Sequence, residues 1–345
     1  MRTGLLGRMR QRVGRIRGLL GPTSVILLYH RVIESKSNPY LLDVSPQHFE
    51  EHLQVIREVG VPMRLEELAQ GVRARNLPDR AVCVTFDDGY QDNLYTAKPL
   101  LERYDVPATV FMTAGKIGRN REFWWDQLER VFLQPGRLPA RLQLDVGGQN
   151  FDWDLSASAD YSEDSLHRDR AWTLLDSNPP TARHSTFAAI YHVVQPMDEV
   201  DRVQVLDRLF DWSGISREVR ATRRALDPDE IVALDKGDIV EVGGHTVHHP
   251  ALSTQPTEVQ HEEIFQCKSL LEKWLGHRVP SFSYPYGLYS DESVSKVREA
   301  GFDNACACMY RTVRRDSECF LLPRIDIYDV GGDVFAEELR GYLGR

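Results

Sequence analysis

The sequence predicts an α/β chain built on a parallel sheet, and three observations carry that reading. Short apolar, β-branched runs recur over residues 24–30, 81–87, 107–113, 238–243, 279–284 and 321–327, as buried strands do. Helical patterns lie between several of them, and strand then helix, repeated, implies crossover connections in a sheet that is either doubly wound or closed into a barrel. The third observation is that carboxylates and imidazoles cluster where these runs end, and both architectures place active sites at the carboxyl ends of strands.

The elements follow in order. Residues 1–21 form a basic leader, which stays open between a disordered tail and contact with an anionic membrane surface: Leu5, Leu6, Met9, Val13, Ile16, Leu19 and Leu20 recur near helical spacing, while Gly4, Gly7, Gly14 and Gly18 weaken that helix. Residues 22–345 are expected to form one domain. Leu94, Ala97, Leu100, Leu101 and Tyr104 share one face of a helix over 93–104. Sequence over about 116–226 is helical, polar and Trp-rich, and reads as an insertion between two halves of the domain. A helix over 257–275 repeats Val259, Ile264, Cys267, Leu270, Leu271 and Trp274, with Thr257 and Gln260 suggesting a capping box. Cys306 and Cys308 read as part of a short strand.

Composition excludes several classes. The 345 residues carry 42 basic and 51 acidic groups, and the six arginines before Pro22 leave 36 against 51, a net −15, on the remainder. A body this acidic is a poor partner for nucleic acid. No run approaches the roughly 20 apolar residues of a membrane-spanning helix, so an integral membrane protein is not expected. The leader lacks the apolar core of a secretory signal, and five cysteines without a Cys-x-x-Cys pair suit reduced thiols. Both features point to the cytoplasm.

Asp87 and Asp88 emerge together where the run 81–87 ends, inside Thr85-Phe86-Asp87-Asp88-Gly89-Tyr90. One carboxylate can ligate a metal while its neighbour handles a proton; an Asp-Gly turn with solvated carboxylates is the alternative. His245 and His249 follow another strand through Gly243-Gly244, four residues apart, so both imidazoles can turn toward one ion. Alone they are as readily surface residues. Together with Asp88 they match an open three-ligand zinc site.

Thr85 to Gly89, His245-Thr246-Val247-His248-His249-Pro250 and Ser283-Tyr284-Pro285-Tyr286-Gly287 occur in that order. The set resembles the polysaccharide deacetylase family, also called carbohydrate esterase family four, over roughly residues 24–327 apart from the insertion. The resemblance implies a distorted (β/α)7 barrel that removes acetyl groups from N-acetylated sugars, less often O-acetyl esters. It implies Asp87 as general base, Asp88, His245 and His249 as ligands of a divalent metal, most often zinc, and the Tyr286 backbone N–H as an oxyanion donor.

Two positions depart from the family pattern. The arginine that steadies the base two residues before the Pro-Tyr segment is replaced by Ser283, and Arg324 at a later strand end is the expected substitute, with a surface pairing to Asp326 as the alternative. No histidine follows His277, so the family's late Leu-x-His motif is missing. Leu28-Tyr29-His30 carries that pattern at the front of the chain, a permuted arrangement. First and last strands are neighbours in a closed barrel, which makes His30 the expected general acid or a histidine that only shapes the pocket.

Phe123-Trp124-Trp125-Asp126 opens the insertion. Trp124 is expected to stack on a sugar and Asp126 to bond a hydroxyl, unless the segment is core packing. The expected partner is an N-acetylated glycan or sugar precursor, lipid-linked or nucleotide-linked. A non-catalytic carbohydrate-binding protein and a hydrolase of another non-peptide C–N bond are the alternatives.

Overall fold

The computed structural model describes residues 23–344; the basic leader lies outside the described residues. Seven parallel strands form a closed ring: β1 (Val25–Tyr29), β2 (Ala81–Phe86), β3 (Ala108–Met112), β4 (Val240–Gly244), β5 (Ser281–Ser283), β6 (Asn304–Cys308) and β7 (Leu322–Asp326). Their order around the ring is β1-β7-β6-β5-β4-β3-β2, and β1 also pairs with β2, which seals it. The distorted (β/α)7 barrel is therefore the fold.

Side chains alternate across each strand. Val25, Leu27, Tyr29, Val82, Val84 and Phe86 belong to the large outer core beneath the helices, whereas Ile26, Cys83, Phe111, Cys306 and Leu322 form a second cluster with Leu65 and Leu68. That second cluster fills the barrel and is closed below by a helix, so the interior is a packed plug rather than a pore.

The crossover helices follow from ordinary signals. Helix α1 (Pro46–Val59) starts at Ser45, whose hydroxyl accepts from His48 N–H, with proline at its first position. Helix α2 (Leu65–Arg73) supplies the lower plug. The helical pattern at 93–104 is a π-helical stretch Asn93–Ala97 continuing into α3 (Lys98–Tyr104), which stops at Asp105 with φ 51°.

The segment between β3 and β4 leaves the barrel. It holds α4 (Trp124–Phe132), an antiparallel hairpin of Arg141–Val146 and Gln149–Asp154, α5 (Glu163–Asp169), α6 (Ala182–Val194), α7 (Glu199–Ser213) and α8 (Pro228–Asp235). Helix α9 (Thr257–Leu275) corrects one expectation: Pro256 precedes it without any side-chain cap, and Gln260 turns back to donate to the Gln255 carbonyl at 2.8 Å. Helices α10 (Asp291–Glu299) and α11 (Gly332–Tyr342) complete the shell. All five cysteines are free thiols.

Candidate active site

Strand alternation alone would send Asp87 into the barrel and Asp88 outward. The backbone cancels that. Asp88 has φ 75° and Gly89 φ 80°, two successive left-handed residues that turn the second carboxylate back over the strand ends. Gly89 is required for close approach too, since a Cβ there would sit 2.3 Å from Met112 Sδ. Asp87 N–H is anchored on the Tyr29 carbonyl at 3.0 Å.

The histidines arrive by a similar device. His245 N–H continues the ladder to Met112 O at 2.8 Å, then Thr246 and His249 take φ 64° and 59°. Glu263 from α9 holds this loop: its carboxylate accepts from the N–H groups of Val247 and His248 at 2.8 Å each, and pairs with His248 Nδ1 at 2.7 Å. His248 is thereby turned away from the site, leaving His245 and His249 with ring centroids 4.8 Å apart.

One ligand atom from each of Asp88, His245 and His249 lies within 4.8 Å of the others. His245 Nδ1 donates to the Ser283 carbonyl at 2.8 Å, which fixes its tautomer and aims Nε2 at the carboxylates. Asp88 Oδ1 is 3.9 Å from that Nε2 and 3.5 Å from His249 Nε2. The donor set fits a divalent ion. Asp88 Oδ1 is buried with no hydrogen-bond partner, burial followed by the charges of Asp87 and Asp126 pushes its carboxyl well up, and burial lowers both imidazoles into the neutral, ligating form. A cation among these atoms would satisfy all three.

Asp87 is held by Arg324 in a two-pronged contact, Nη1 to Oδ1 and Nη2 to Oδ2, both 2.7 Å. Arg324 is buried inside the barrel, not at the surface with Asp326, and also donates to Ser283 Oγ at 2.6 Å and Thr85 Oγ1 at 3.3 Å. Burial would raise the Asp87 carboxyl, but the guanidinium outweighs it and holds the group well below the usual carboxylate range. Ser283 thus occupies the departed arginine's position and helps orient its replacement.

His30 ends β1 between β2 and β7 and lines the same cavity as Asp87 and Asp326. Burial pushes its imidazole down to about 4 against the pull of those two carboxylates. Tyr286, at φ 57°, sets its ring edge-on to His249 at 4.5 Å.

Trp124 and Asp126 do not stand where a sugar could meet them. Trp124 is 1% exposed, bonded through Nε1 to Tyr286 Oη at 3.3 Å and packed against Tyr191. Asp126 is buried, accepts from Tyr90 Oη at 2.6 Å and lies near Arg31 and Arg223. It is neighbouring Trp125 that reaches the cavity, its Nε1 held by Tyr90 Oη at 2.7 Å and its ring 5.0 Å from His249. The cavity, about 480 Å³, is also lined by Tyr40, Tyr191, His192 and Cys308; the sequence placed none of them in the site, and Cys308 only in a short strand.

Over the strand ends of this parallel barrel, a buried carboxylate and two histidines form a donor set that could hold a metal ion. The sequence pattern of the family described as polysaccharide deacetylase matches residues 74–135 and 200–305, on either side of the insertion and just under half of the chain. YxkH of Bacillus subtilis (strain 168), named after the same family, is 30% identical over 108 residues, covering 31% of this chain and 37% of its own length. Among solved structures, the Streptococcus pyogenes deacetylase PplD in complex with acetate superposes with a TM-score of 0.56 at 17% identity, covering 92% of this chain and 99% of that one. IcaB from Ammonifex degensii gives 0.56 at 18%, covering 94% and 99%. At such identities the likeness is one of fold.

Proposed function

We propose that the chain hydrolyses the acetamido group of an N-acetylated sugar in a polysaccharide or glycan precursor, releasing acetate. The observation that carries this is a single cavity floor where Asp88, His245 and His249 converge beside Asp87, itself clamped by Arg324. Asp88, His245 and His249 would hold a divalent metal, zinc by its preference for imidazole and carboxylate, which when bound supplies Lewis-acid polarisation of the acetyl carbonyl and lowers the pKa of water.

The chain's own groups do the rest. Asp87, kept ionised and fixed in orientation by Arg324, takes the proton of the attacking water. The Tyr286 backbone N–H faces the developing oxyanion. His30, neutral at rest, gains proton affinity as negative charge builds on the substrate, takes up the proton that Asp87 removed from the water, and passes it to the leaving amine, which leaves Asp87 ionised and His30 neutral again. Trp125, Tyr40 and Tyr191 offer aromatic faces to the sugar.

Acetate release from a panel of N-acetylated glycans, with zinc content measured on the same sample, tests this reading. Chelation is expected to abolish release and zinc to restore it. A metal-loaded protein inert on every acetylated sugar would sink it.

A further inference from the structure

The floor of the cavity carries the reacting groups, yet one of its walls is apolar. Leu41 and Leu42, from the loop joining the two-residue strands Arg31–Val32 and Asp43–Val44, line it together with Leu174 and Leu175 of the insertion. Leu175 is 73% exposed. The Leu174 N–H donates to the Pro39 carbonyl at 2.9 Å, so the two loops form one joined surface. Leu41 sits there at φ 59°, an unfavourable conformation for leucine, fastened by its N–H to the Asn38 carbonyl at 3.1 Å while Leu42 N–H donates to Asn38 Oδ1 at 2.9 Å. Single exposed leucines need no explanation; four on one wall of a reaction cavity do.

Charge points the same way. Among the described residues that line this cavity there is no lysine or arginine, whereas Asp326 is present. Arg324 lies buried behind the floor and is committed to Asp87. An anionic carrier such as a nucleoside diphosphate would have to extend beyond the leucines into the adjoining cleft, where Lys36, paired with Glu163 at 3.3 Å, and Arg170 stand.

We propose that the substrate is an amphiphile: an N-acetylated sugar bearing an uncharged apolar chain that lies along Leu41, Leu42, Leu174 and Leu175. This rests on the deacetylase reading of the floor and adds to it what the sugar is attached to. The shared chemistry is an alkyl chain, whether it is the aglycone or a substituent elsewhere on the ring.

Isothermal titration of the zinc-loaded full chain tests it, using methyl N-acetyl-β-glucosaminide, its n-octyl counterpart below the micelle threshold, the methyl glycoside with an octyl ether at O6, and a uridine-diphosphate-linked N-acetylglucosamine. At least one octyl probe is expected to bind tenfold or more tighter than the methyl glycoside, a gain that about two buried methylenes supply. The better octyl probe reports where the chain is attached. In the double variant Leu174→Ser, Leu175→Ser, with an unchanged far-ultraviolet spectrum, most of the gain is lost. Equal affinity for octyl and methyl probes, or tightest binding of the nucleotide sugar, overturns the proposal without needing any variant. Octyl preference without acetate release from any probe would instead refute the assigned reaction and leave the apolar wall standing.

Discussion

Asp87 and Arg324 form a buried pair in which each group depends on the other. Removing one partner leaves an uncompensated charge, which costs roughly 3–5 kcal/mol. Arg324→Met is therefore expected to lower the thermal midpoint markedly and to reduce kcat. Arg324→Lys, which keeps the charge but loses the planar fork, is expected to recover stability more than kcat. Equal recovery of both would show that orientation of Asp87 is irrelevant. His30→Ala should keep its metal and lose on the order of 10²-fold in kcat; near-full turnover with metal bound would remove it from the acid role. Trp124→Ala is expected to cost about 3–5 kcal/mol of stability with little change in KM, because the indole fills core rather than touching substrate. The sequence could not separate Trp124 from Trp125. Consecutive helical positions are rotated by about 100°, and which of them faces the cavity is set by Tyr90 and Tyr286, residues that only the fold brings near.

At the scale of elements, α1 is tied to the barrel and to α11 through His52, which is fully buried. Its Nε2 lies 2.7 Å from the Val330 carbonyl and so carries the proton, leaving Nδ1 to accept from Tyr29 Oη at 3.2 Å. Burial pushes this imidazole down to about 4. A folded value below the unfolded one of about 6.5 means the unfolded chain binds more protons in between. The stability this neutral histidine protects is thus fully present above about pH 6.5 and is lost as pH falls toward 4, at a slope approaching 1.4 kcal/mol per pH unit. Denaturation of wild type and His52→Gln across that window checks it: the variant's profile should be shallower, and parallel profiles would contradict the assignment.

Six of the seven barrel strands were legible from short apolar runs, because each is buried on both faces; the seventh, Asn304–Cys308, showed itself only as a short strand around Cys306 and Cys308. The left-handed residues that aim the site were not legible. Asp and His take a positive φ more readily than most residues, but too seldom for Asp88 or His249 to announce one, and Thr246 gives no sign at all; Gly89, which follows Asp88, is the clearer hint. Glu263 was hidden for a related reason, being one of several acidic residues on an amphipathic helix until the fold sets it against the histidine loop.

For the whole molecule, the three candidate ligands come from the ends of β2 and β4, so a bound ion would cross-link elements far apart in sequence. Free metal at a hundred times its dissociation constant is expected to add about 2.7 kcal/mol to stability. A thermal midpoint indifferent to chelator and to added zinc would argue that these residues bind no ion.

The ring closes where β1 meets both β2 and β7, and Asp87 waits for Arg324 across 237 positions. On a ribosome the acid would emerge long before its counter-charge, and the half-built sheet would expose an open edge throughout that interval. Sealing the circle is then a late, long-range event, so maturation is expected to be slow and most vulnerable to misassociation just before the final strand arrives.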